Sequence, residues 1–147
     1  MNKIILVLSI GLIGFNVFAT EPSEPPVVEA PAEDNWVSLA ETIVVHLETA
    51  STLYAENNGK EAKREIIKAY FGVFEDQKME AAMRMELGAK YTYKVERRFG
   101  ALRKAIKKNI SIEEFNQQKQ ELITIMREDA IKLDEAKIPR EVFKVNE

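Results

Sequence analysis

The chain has 147 residues, with 21 Lys or Arg, 24 Asp or Glu and one His, for a formal net charge of −3. That length suits one domain rather than two, and the mildly acidic balance lacks the basic excess that phosphate backbones require, which argues against nucleic acid as a partner. The absence of cysteine excludes disulfides, thiolate metal ligands and c-type haem attachment.

Lys3 precedes an apolar run over residues 4–18, interrupted only by Ser9, Gly11, Gly14 and Asn16, and Val17 and Ala19 supply small residues around a peptidase site. The pattern is that of a signal peptide over residues 1–19. The run is short and glycine-containing for a permanent span, the alternative reading, and no cysteine follows it to carry a lipid. The expectation is export to the periplasm, with no stable membrane insertion once the signal is removed. Cleavage takes one positive charge, Lys3, and moves the net from −3 to −4. Residues 20–34 hold four of the five prolines together with Glu21, Glu24, Glu29 and Glu33, a composition that predicts an extended, disordered tether.

From Asp34 the pattern turns helical. Asp34 or Asn35 can cap a first helix whose apolar positions Trp36, Leu39, Ala40, Ile43, Val44, Leu47, Ala50 and Tyr54 recur at three- and four-residue steps. Asn57, Asn58 and Gly59 tolerate the left-handed backbone of a helix stop. A second helix, over about residues 60–74, buries Ala62, Ile66, Ala69, Tyr70 and Val73, and residues 75–78 interrupt it. A third, over about residues 79–108, carries the stripe Tyr91, Val95, Phe99, Leu102 and Ile106, with Gly88 a candidate kink and Gly100 a candidate close approach. Lys104, Lys107 and Lys108 crowd its end, where cations complement the helix dipole. Ser111 and Glu114 form an S-x-x-E start signal for a last helix with Phe115, Leu122, Met126, Ala130 and Leu133 on one face, ending before Pro139. The reading is an all-α protein. An antiparallel up-down four-helix bundle occupies residues 35–138, with a tail over 139–147.

Chemistry is sparse. With one histidine, no cysteine and no G-x-S-x-G, nucleophilic catalysis is set aside, the scattered glycines form no phosphate cradle, and an enzyme is not expected. His46 and Glu48 stand about 200° apart on a helix and cannot share an ion, so His46 reads as a boundary residue. Met79, Met83 and Met85 read as core filler before copper ligands. Glu75 and Asp76 at the end of the second helix, Glu80 at the start of the third and Glu96 beside its apolar stripe are the carboxylates that could converge on a hard cation, although acidic residues at a helix start also complement its dipole.

The segment Ala69-Tyr70-Phe71-Gly72-Val73-Phe74-Glu75, then Met79-Glu80-Ala81-Ala82, then Glu96-Arg97-Arg98-Phe99-Gly100-Ala101-Leu102-Arg103 resembles the soluble extracytoplasmic N-terminal domain of bacterial FTR1-family iron permeases. There an A-Y-F-x-x-F-E run and an M-E-x-A run precede an E-x-x-F-x-x-L-R helix. The resemblance spans about residues 36–109. The permeases' R-E-x-x-E motif is missing, since Arg64-Glu65-Ile66-Ile67-Lys68 ends in lysine, and no membrane-spanning run follows the signal. What the resemblance implies is the soluble module alone: a periplasmic accessory of iron or other transition-metal uptake. It would bind Fe2+ or Fe3+ through Glu75, Glu80, Glu96 and Asp76, or dock onto an inner-membrane metal permease or a periplasmic metal-uptake protein. The alternative is a helical-bundle protein-interaction module without metal.

Overall fold

The structure, a computed structural model, describes residues 34–143. The expected signal peptide, the tether up to residue 33 and the last residues of the tail lie outside that range. The described chain is all-helical: α1 (Trp36–Ala55), α2 (Gly59–Ile67) running on into a π-helical segment (Lys68–Glu75), α3 (Met79–Glu86), α4 (Ala89–Lys107), α5 (Ile112–Glu135) and a 3-10 turn (Arg140–Phe143). None of these helices is long and apolar enough to cross a membrane.

Each break has a local cause. Asn35 caps α1 in a reciprocal box, its Oδ1 accepting from the Ser38 amide at 2.8 Å while Ser38 Oγ accepts from the Asn35 amide at 3.3 Å. Asn57 takes a left-handed φ of 61° after α1, Lys78 one of 67° before α3, and Asn109 one of 52° before α5. Ser111 Oγ caps α5 by accepting from the Glu114 amide at 3.2 Å. The long third helix read from the sequence is two, because Gly88 adopts φ 92° and ψ 146°, a conformation essentially confined to glycine. Gly100 makes no close approach: a Cβ there would meet nothing within 4 Å.

α1 and α5 run antiparallel, and successive pairs trace their seam. Asp134 accepts from the Trp36 and Val37 amides, Arg127 donates to Glu41, Lys119 to Glu48 and Ser51 to Asn116, and Tyr54 packs on Phe115. α4 lies antiparallel to α5 through Tyr91–Asp129 and Arg98–Glu121, and α2 rests on α1 and α4. A single apolar core fills the interior, with Trp36, Ile43, Leu47, Phe74, Phe99, Phe115, Leu122 and Met126 fully buried. Each such side chain contributes about 1.5–3 kcal/mol relative to exposure. Trp36 is further fixed by its indole N–H, which donates to the Ile138 carbonyl at 2.6 Å.

The core departs from the sequence reading at two places. Tyr91 keeps 37% of its surface exposed, with only its hydroxyl end turned in to Asp129, and Thr92 is fully buried instead. In the π-helical segment, Phe74 is fully buried and Tyr70 only half-buried. Hydrogen bonds from i to i+5, such as Asp76 N–H to Phe71 C=O at 3.1 Å, retard the rotation per residue, so a 3.6-residue period assigns the wrong member of this pair to the core.

Candidate functional site

The π-helical segment, the start of α3 and the middle of α4 meet around the ring of Tyr70. That ring lies 5.3 Å from the Phe99 ring and 4.7 Å edge-on from Phe71, and Phe74 and Phe99 are 5.4 Å apart behind it. The short turn through Lys78 brings Glu80 back beside the end of the π-helical segment, and the break at Gly88 folds α4 against α3 so that Glu96 faces the same point. The Tyr70 phenol is held above its ordinary range, first by burial and then by the negative charges of Glu96, Glu75 and Glu80, with Arg103 opposing them. Three of the four carboxylates singled out from the sequence thus act electrostatically on one phenol. The fourth, Asp76, is exposed at the end of the segment.

The charges within this cluster are unevenly matched. Arg84 reaches from α3 to both Glu80 Oε1, at 2.6 Å from its Nε, and Glu96 Oε1, at 2.9 Å from its Nη2. Both carboxylates are mostly covered, with side chains 20% and 15% exposed, whereas Arg84 is 48% exposed. Glu75 has no such partner: its Oε2 is buried without a hydrogen bond from any described residue. A buried carboxylate oxygen left unmatched is costly and calls for a cation or a donor. As arranged, no three Asp, Glu or His side chains among the described residues converge closely enough to hold a metal ion. The donor set suits a hard cation in kind, all oxygen and net negative, but the guanidinium of Arg84 stands between two of its members.

The remaining candidates resolve simply. His46 is half-buried between α1 and α2, its Nδ1 2.7 Å from Glu65 Oε2, and Lys68 donates to the other oxygen of Glu65 at 2.6 Å. Glu48, its neighbour in sequence, faces α5 and pairs with Lys119. Met79 and Met83 are fully buried and Met85 is exposed, so the three sulfurs share no site. Sequence reasoning missed Tyr70, Arg84 and Arg103 as members of the cluster. Arg84 was visible as the i+4 partner of Glu80, but its bond to Glu96 depends on the turn at Gly88.

Comparison of the chain with protein-family models, with curated proteins and with solved structures found no match.

Proposed function

We propose that this chain is a periplasmic accessory protein of iron uptake that takes ferrous or ferric iron as cargo on Glu75, Glu80 and Glu96, beside Tyr70. Asp76 borders the site at the surface. The observation that carries this reading is the buried, unmatched oxygen of Glu75, whose charge acts on the Tyr70 phenol together with those of Glu80 and Glu96. Arg84 acts as an internal stand-in for the cation, holding Glu80 and Glu96 until iron displaces it. The helices are read as an antiparallel four-helix bundle of α1, α2 with its π-helical extension, α4 and α5, with α3 as an inserted arm that closes the site. Residues 1–19 direct export, residues 20–34 tether the domain, and an inner-membrane metal permease is the recipient. No catalytic step is assigned.

Anaerobic calorimetric titration of residues 20–147 with Fe(II), beside the Glu75→Gln/Glu80→Gln double variant, tests the reading. Saturable binding lost in a variant that still unfolds cooperatively supports it. Heat indistinguishable from dilution with Fe(II), and again with ferric citrate, removes it. A second reading draws on the Arg84 bridges themselves: two of the three carboxylates are already neutralised, as a purely structural cluster would be. On that reading the protein is an interaction module without metal.

A further inference from the structure

The outer face of α4 carries the opposite charge from the rest of the molecule. Within its length Lys90, Lys94, Arg97, Arg98, Lys104 and Lys107 are exposed, and Glu96, turned inward, is its one acidic residue. Between α4 and α2 this face hollows into a surface groove of about 750 Å³ lined by Lys63, Tyr93, Arg97, Arg103, Lys104 and Lys107. Gly100 and Ala101 complete its lining, and a Cβ at Gly100 would meet no neighbour within 4 Å. Elsewhere every arginine reaches a carboxylate: Arg64 with Glu61, Arg84 with Glu80 and Glu96, Arg98 with Glu121, Arg127 with Glu41 and Arg140 with Asp34. Arg97 and Arg103, the two arginines of the groove, have no ion-pair partner among the described residues, nor do Lys63, Lys104 and Lys107. Arg97 is instead placed by stacking, its guanidinium carbon 5.9 Å from the centre of the Tyr93 ring.

Five cations gathered without counter-charge repel one another, and a net acidic chain has carboxylates to spare for them. Their concentration in one concave place therefore points to an anion supplied from outside. Two guanidinium forks flanked by point-charge ammonium groups match the several oxygens of phosphate better than a single carboxylate does. We propose that the α2–α4 groove binds phosphate-bearing anions, whether the phosphates are free in solution or are those of lipid headgroups at an anionic membrane. The groove shares Arg103 with the edge of the proposed iron site, but Lys63, Arg97, Lys104 and Lys107 form no ion pair with its carboxylates, and the proposal stands whether or not iron binds.

The test uses residues 20–147, because the apolar core of the described residues runs from Trp36 to Leu133 and the apolar leader would itself enter vesicles. Inorganic pyrophosphate is titrated by calorimetry. Vesicles of phosphatidylglycerol, with phosphatidylcholine vesicles as reference, are assayed by co-sedimentation at low and high salt, and poly-glutamate is the carboxylate competitor. Gly100→Glu adds a carboxylate to the groove lining where a Cβ meets no neighbour, and in a helix glutamate is the better former, so loss of fold does not confound the result. Gly100→Ala adds bulk without charge, and Arg97→Gln/Lys104→Gln removes two cations.

Salt-sensitive binding of pyrophosphate or of phosphatidylglycerol vesicles is expected. It should weaken at least about tenfold in Gly100→Glu and in the double variant, persist in Gly100→Ala, and leave the Fe(II) titration unchanged. Binding to pyrophosphate alone assigns a soluble anion, and binding to vesicles alone assigns a headgroup. No binding to either, binding that ignores the substitutions, or tighter binding of poly-glutamate than of both phosphate probes would overturn the proposal.

Discussion

Arg84 donates to Glu96 across the α3–α4 turn at 2.9 Å while its Nε holds Glu80 at 2.6 Å, so a single exposed guanidinium occupies the space between two mostly covered carboxylates. Its own proton is held more firmly than usual, chiefly by the hydrogen bond to Glu96 and the charge of Glu80. On the proposed reading this arginine competes with iron. Arg84→Gln removes the competitor, and calorimetry is expected to show Fe(II) bound more tightly than by the wild type. If the cluster is only structural, the same variant binds no iron and loses thermal stability.

Glu75 should behave oppositely. Its Oε2 is buried and no described residue hydrogen-bonds to it. Glu75→Gln is therefore expected to raise the unfolding free energy of the metal-free protein by about 1 kcal/mol in urea titrations, a relief of desolvation. The same change should abolish stabilisation by added iron, which for a functional site reaches about 2.7 kcal/mol at a hundredfold excess over Kd. Destabilisation by Glu75→Gln would show that its carboxylate is satisfied within the fold.

Much of this architecture was legible in the residues. The α1 and α5 stripes were correct because both are regular α-helices against one core, where a three- and four-residue period identifies the buried face without further knowledge. The errors cluster where the backbone leaves that period. The π-helical winding exchanged Phe74 for Tyr70 at the core, and the positive φ at Gly88 split one long pattern in two. The site inherits both irregularities. Glu75, Glu80 and Glu96 could be named from a motif, but their common influence on Tyr70 depends on Lys78 and Gly88 turning the chain, and Arg84 enters only with that geometry. The basic groove was passed over for a different reason: Lys104 and Lys107 were visible as a cluster and were assigned to the helix dipole, while Lys63 joins them only once α2 packs against α4.

Two glycines should respond in opposite directions. Gly88→Ala forces a Cβ into a positive-φ conformation and is expected to cost about 1–3 kcal/mol, loosening the α3–α4 turn that presents Glu96. Gly100→Ala places its Cβ in open space within a helix and is expected to gain about 0.5–1 kcal/mol. Urea unfolding of the two variants beside the wild type measures both. Equal effects would show that α3 and α4 behave as one helix in solution.

Alkaline behaviour isolates the α4–α5 contact. The Tyr91 phenol is pushed up to about 12 by burial first, then by its hydrogen bond to Asp129 and the charges of Asp129 and Glu128. The O–H donates to Asp129 Oδ2 at 2.8 Å, and Lys132 donates to Oδ1 of the same fully buried carboxylate. A phenol whose pKa is raised on folding holds its proton more tightly in the native state. The resulting stability is present in full below pH 10 and is lost as pH rises through about 12. Absorbance titration should show a tyrosine ionising near 12 that disappears in Tyr91→Phe and moves toward 10 in Asp129→Asn. An unchanged titration in Asp129→Asn would contradict this coupling.

The central claim, that Glu75, Glu80 and Glu96 together hold iron, is tested most directly by locating the metal. Crystals of residues 20–147 grown anaerobically with Fe(II) would be measured on both sides of the iron absorption edge. The account predicts an anomalous peak among these three carboxylates beside Tyr70, with Arg84 turned outward from Glu80 and Glu96. Iron at another site, or no peak at saturating Fe(II) with Arg84 still bridging the two carboxylates, would contradict it.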